Sequence, residues 1–246
     1  MIIPQFADIA ISLLAVVIAL TVHEFFHAFT AYKLGDHTPA AFGRLTLNPL
    51  RHLDPFGAIC LLLFHFGWAK PVPINPRAFK NPKSGFALTA LAGPASNLAL
   101  AFVCAPIYLA LYNLQVFVAP EGFLARLTVY STYFFYVFFT MNVGLAVFNM
   151  IPIPPFDGSR ILNAILPDRI YYKIMIHERK IYWIFVGWLL LGTYVYHALV
   201  SIPFIGSSAV LAGICKIFSL SELISTATTF VARLFLKFWM LFPIFA

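Results

Sequence analysis

Residues 9–22, IAISLLAVVIALTV, carry no charge and run directly into His23-Glu24-Phe25-Phe26-His27. No other stretch restricts the fold and chemistry of the chain as much. On a helix, His23 and His27 stand four residues apart on one face, with Cβ atoms about 5–6 Å apart. At about 1.5 Å per residue, His23 lies roughly 21 Å along the apolar helix. A bilayer core is about 30 Å thick, so the pair falls inside it and past its middle. Ionisable groups at that depth cost several kcal/mol unless something compensates them, so they point to function. A metal ion is the obvious compensation. Two imidazoles at this spacing reach one zinc at about 2.0–2.1 Å. Glu24, next to His23, can then take a proton from water. The plainer alternative is that all three residues only hydrogen-bond neighbouring helices.

The rest of the composition agrees with a membrane setting. Of 246 residues, 61% are hydrophobic and only 10% charged, against about 25% charged in soluble domains. The apolar runs are long rather than alternating, which favours helices over a barrel. A net charge of +7 is accounted for by basic cytoplasmic loops, so no nucleic-acid partner is expected. Cys60, Cys104 and Cys215 show no paired spacing and read as packing residues. The first ten residues contain no basic side chain, so no cleavable leader is expected.

In chain order, an all-α polytopic membrane protein of four to five spans is predicted. Helices are expected at about 7–32, 86–114, 127–150 and 181–200. Residues 203–246 could form a fifth span or interfacial helices. Residues 33–55 read as polar loop and 69–85 as a proline-rich, helix-free connection. Residues 55–68 are apolar but too short to span, and predict a re-entrant segment bracketed by Gly57 and Gly67. Residues 159–180 are amphipathic and basic. One membrane-embedded domain over 1–246 is expected, with a core at 7–160 and C-terminal helices at 181–246. Lysines and arginines crowd 33–85 and 158–180, whereas the connection after the second span has only Arg126 beside Glu121. The positive-inside rule makes the basic regions cytoplasmic and puts the histidines nearer that face. The third helix descends to the same side. Pro152, Pro154 and Pro155 end it, which delivers Asp157 near His27. Zinc enzymes commonly use three protein ligands and one open position. Asp157 is the best third ligand, with Asp54, His52, His37 and His65 as rivals. An aspartate before glycine is equally an ordinary turn residue.

Three motifs in order, HEFFH at 23–27, AGPASN at 92–97 and NMIPIPPFDG at 149–158, resemble the site-2 protease family of intramembrane zinc metalloproteases. GRLTLNPLRHLDPFG at 43–57 and GWAKPVPINPRAFKNP at 67–82 are similar to its short single-domain prokaryotic branch, without PDZ or CBS domains. The resemblance implies one zinc per chain held by His23, His27 and Asp157, with Glu24 as catalytic base. It implies that Asn97 positions substrate or stabilises an oxyanion, although an inter-helix hydrogen bond serves Asn97 nearly as well. It also implies that the re-entrant segment, with Gly57 and Gly67, binds an unwound substrate. The expected substrates are transmembrane proteins, cut within or near their helices during regulated intramembrane proteolysis. The expected location is the cell membrane. Two rivals are a non-catalytic metal-binding or transport protein and a di-iron oxygenase. The latter needs several histidine boxes, and only one close pair is present.

Overall fold

The computed structural model describes residues 3–54, 69–118 and 121–245. Among these residues the only extended pairing is an isolated antiparallel bridge between Leu53 and Ala69. The longer helices are α1 (Gln5–Lys33), α2 (Pro82–Leu114), α3 (Phe123–Asn149), α4 (Asp157–Ile165), α5 (Asp168–Ile176), α6 (Glu178–Val200), α7 (Ala209–Phe218) and α8 (Leu220–Trp239). Of these, α1, α2, α3 and α6 are long and apolar enough to cross a bilayer. The protein is therefore an all-α, multi-pass membrane protein.

Helix α2 is the centre of the bundle and packs against α1, α3 and α4. Its contact with α1 is built from small side chains: Ala15 and Ala19 lie in one buried cluster with Ala101, Cys104 and Ala105. Small residues let two backbones approach closely, which is how helices associate where no water is available to be expelled. Val137, Phe138, Phe139 and Val143 of α3 complete the cluster. Helix α2 also starts inside the stretch predicted to be helix-free. Asn81 Oδ1 accepts the N–H of Ser84 at 3.3 Å, and Pro82 occupies the first turn, where its missing N–H costs nothing.

The chain between α1 and α2 folds back along α1. Leu47 and Pro49 line a cleft with Val17, Ile18, Thr21 and Val22, several turns up from Lys33. Buried Asp36 clamps this connection. Its Oδ1 accepts the N–H of Thr38 at 2.9 Å and its Oδ2 the N–H of Asn75 at 2.7 Å. Lys70 N–H donates to the His52 carbonyl at 2.7 Å, beside the Leu53–Ala69 bridge. The predicted re-entrant segment, including Gly57, Cys60, His65 and Gly67, lies outside the described residues.

After α3, residues 150–156 are not helical, and Asp157 opens α4. A Cβ on Gly158 would collide with the carbonyls of Met150 and Ile151. Only glycine lets the chain turn back closely enough to set Asp157 in place. The C-terminal region, left open by hydropathy, forms α7 and α8. Helix α8 packs on α3, α6 and α2.

Candidate metal centre

His23 and His27 come from one face of α1, as their spacing predicts, and both are buried. Asp157 joins them from α4, buried as well. His23 Nε2 lies 3.0 Å from His27 Nε2 and 3.1 Å from Asp157 Oδ2, and His27 Nε2 lies 3.2 Å from the same oxygen. The three atoms form a nearly equilateral triangle.

Hydrogen bonds behind the imidazoles decide what this triangle presents. His27 Nδ1 stands 2.7 Å from the Thr89 carbonyl, which can only accept, so Nδ1 carries the proton. His23 Nδ1 stands 2.6 Å from Asn97 Oδ1. The Asn97 amide is itself oriented: its Nδ2 donates to the Ala19 carbonyl at 3.2 Å and to Asn142 Oδ1 at 2.8 Å. Asn142 Nδ2 in turn donates to the Phe138 carbonyl at 2.8 Å. A chain of oriented amides thus runs from α3 through α2 to α1 and puts the His23 proton on Nδ1. Both Nε2 lone pairs then face the Asp157 carboxylate. Three lone-pair donors converging in a buried space attract a cation.

The spacing fits zinc. A tetrahedral ion with bonds of about 2.0–2.1 Å separates its ligands by about 3.3 Å, close to the edges of this triangle. Two nitrogens and one carboxylate oxygen also match a zinc donor set, and three protein ligands leave a fourth position open. Among the described residues, no other group of histidine, cysteine or acidic side chains converges in this way. The rivals His37 and His52 stand elsewhere. His37 packs against Tyr32, and His52 Nε2 donates to the Thr46 carbonyl at 2.7 Å.

Gly93 makes the space. A Cβ built there would lie 2.5 Å from His27 Cε1 and Nε2 and 2.6 Å from His23 Cε1. Pro94 follows and removes the N–H that the Ala90 carbonyl would accept, which loosens the helix at this turn. Glu24 is half-buried beside the pair, and its Oε2 accepts the N–H of Val72 at 3.2 Å. The extended segment after residue 69 therefore runs past Glu24. Asn97 has both amide hydrogens engaged and is wholly buried, so here it positions His23 and has no donor left for a substrate oxygen. Gly57 and Gly67 lie outside the described residues.

Sequence reasoning did not find Thr89, Gly93 as the space-maker, or Asn142. For Asn142 a signal existed: a primary amide in the middle of an apolar helix is costly unless paired.

Similarity to known proteins agrees with the geometry. A profile described as peptidase family M50 matches residues 113–193. YwhC of Bacillus subtilis, provisionally named a zinc metalloprotease, is 42% identical over 164 residues, covering 65% of this chain and 71% of that protein. MJ0611 of Methanocaldococcus jannaschii, named in the same way, is 31% identical over 156 residues, covering 62% and 69%. Rip2 of Mycobacterium tuberculosis H37Rv, again so named, is 32% identical over 152 residues, covering 59% of this chain and 53% of its own length. The chain thus spans only about half of Rip2. No solved structure gives a significant match.

Proposed function

The chain belongs to peptidase family M50, and from that premise we propose that it is a membrane zinc metalloprotease that hydrolyses peptide bonds within or near transmembrane helices. The observation that carries this is the buried His23–His27–Asp157 triangle, its two histidines on a helix long and apolar enough to cross the bilayer and next in sequence to Glu24. Zinc bound there supplies a Lewis acid that polarises a carbonyl and lowers the pKa of water. His23, His27 and Asp157 would hold it. Glu24 takes the proton of the attacking water and delivers it to the leaving amine. Its hydrogen bond from Val72 keeps the carboxylate oriented and half-shielded. Asn97 and Thr89 fix the imidazole tautomers, a supporting arrangement usual behind metal-bound histidines. The substrate is a transmembrane helix that unwinds locally, because intact helix ties up its carbonyls.

A non-catalytic metal-binding or transport protein would use the same triangle but would have no need of Glu24. The experiment separating the two is Glu24→Gln, with zinc measured by elemental analysis and peptidase activity on a membrane-protein substrate. Near-stoichiometric zinc with cleavage abolished is expected, while Asp157→Ala should release most of the metal. Wild-type cleavage by Glu24→Gln would sink the protease mechanism.

A further inference from the structure

A recess of about 530 Å³ opens in the connection between α1 and α2, lined by Phe42, Arg44, Leu50, Arg51, Leu53, Lys70, Pro71 and Pro73. Three of these side chains are cationic, and none of the described lining residues is acidic. Arg44 is 6% exposed and forms part of the framework: its Nη1 donates to the carbonyls of Arg51 and, at 3.2 Å, Lys70. That contact joins the two arms of the connection and sets Arg51 and Lys70 at the same opening, both exposed. Three cationic side chains on one recess, with no acidic residue among its described lining, favour an anion there.

The rim shows which anion. Phe42 is 66% exposed and Leu50 79%, so a cationic floor is edged by large apolar side chains. Nearby Leu47, 59% exposed, lines with Pro49 a cleft on α1 whose other side is Val17, Ile18, Thr21 and Val22. The recess therefore sits beside the bilayer, with apolar side chains where acyl chains would lie. A soluble anion would make no use of that rim.

We propose that this recess binds the phosphate of an anionic phospholipid headgroup, with Arg51 and Lys70 on the phosphate and Phe42 and Leu50 against the chains. Clusters of Lys and Arg at a membrane surface attract anionic lipid in just this way, and each contributes appreciably. One stretch of chain links the recess to Glu24. Pro71 and Pro73 face the recess, while Val72 is buried and its N–H donates to Glu24. A seated headgroup holds this stretch, and with it the hydrogen bond on Glu24. The binding itself does not depend on the peptidase assignment.

The test uses the full chain in detergent, with lipid retention read by native mass spectrometry against phosphatidylglycerol and phosphatidylcholine. Arg51→Glu with Lys70→Glu changes two exposed side chains and leaves Arg44 to hold the fold. Retention of phosphatidylglycerol should fall roughly tenfold or more, with phosphatidylcholine unchanged and millimolar inorganic phosphate unable to compete. Equal retention by the double variant would overturn the proposal. Competition by inorganic phosphate would make this a site for free phosphate and overturn the lipid assignment. Unchanged lipid retention, with cleavage lost only for substrates bearing acidic flanks, would reassign the recess to the substrate chain. Helicity measured by circular dichroism on each variant separates these outcomes from misfolding.

Discussion

Gly93 has no chemistry of its own, yet the two imidazoles rest against it. Zinc geometry tolerates ligand displacements of about 0.2 Å. A methyl group at position 93, 2.5 Å from His27 and 2.6 Å from His23, must push the rings by well over that. Gly93→Ala is therefore expected to lose most bound zinc and all measurable activity while the bundle still folds. Gly144→Ala is the matched control, since its added Cβ meets only Thr228 at 3.9 Å. Elemental analysis of the two purified variants decides the matter, and full zinc in Gly93→Ala would show that the rings have room to move. Asn142 acts one step further out. Asn142→Leu leaves the Asn97 amide free to rotate, and metal affinity should drop about 10–100-fold, measured by competition with a zinc-responsive dye. A smaller loss in Asn142→Asp, which keeps an acceptor for Asn97 Nδ2, would identify orientation as the cause. These residues also show what sequence alone could and could not reveal. His23 and His27 were legible as a pair because their helical spacing is itself what brings the two imidazoles together. Asp157 was legible only as the best of several candidates, because its approach depends on the turn over 150–156. The roles of Gly93, Thr89 and Asn142 were not legible, because each depends on which helix faces which.

At the scale of elements, hydropathy located the spanning helices well, since some twenty apolar residues in a row have few alternatives. It failed at the ends. The start of α2 is set by an asparagine cap and a proline, to which an apolar average is blind. The C-terminal region was ambiguous for a related reason. Helix α8 carries Glu222, Arg233 and Lys237, so its place rests on tertiary contacts. One of those contacts is polar and testable. Pro106 has no N–H, so the Phe102 carbonyl four residues earlier lacks its helical donor, and Trp239 Nε1 donates to it at 2.9 Å. Trp239→Phe keeps most of the packing against Phe102 but leaves that carbonyl unpaired, at a cost of about 1–3 kcal/mol. Pro106→Ala restores the helical donor. In that background, Trp239→Phe should cost markedly less, and the cycle measured by unfolding in detergent should show coupling of about 1 kcal/mol. Additive effects would mean that the indole contributes only packing.

For the molecule as a whole, the decisive quantity is the depth of the metal centre. His23 lies about 27 Å along α1 from Gln5 and about 15 Å from Lys33. The helix as a whole exceeds a bilayer core of about 30 Å, so its ends emerge or it tilts. Either way the site is nearer the Lys33 end. That end carries the cations of 33–85 and 158–180, while at the other end the connection from α2 to α3 and the first turn of α3 hold only Glu121 and Arg126. By the positive-inside rule the Lys33 end is expected in the cytoplasm, an orientation the cleavage position tests. Cleavage should accordingly fall on the cytoplasmic side of a substrate helix's midpoint. A carbonyl in an intact helix is hydrogen-bonded and shielded, so the helix must open before the bond can meet Glu24. Residues that weaken helices near the cut, such as Gly, Pro or Asn, should speed cleavage, and replacing them with Leu should slow it several-fold, given differences of about 0.5–3 kcal/mol per residue in helix propensity. Mass spectrometry of products from a model substrate of known orientation reads both effects at once. Cuts clustered in the outer half would invert the orientation, while inner-half cuts insensitive to Leu would keep the depth and remove unwinding as the limiting step.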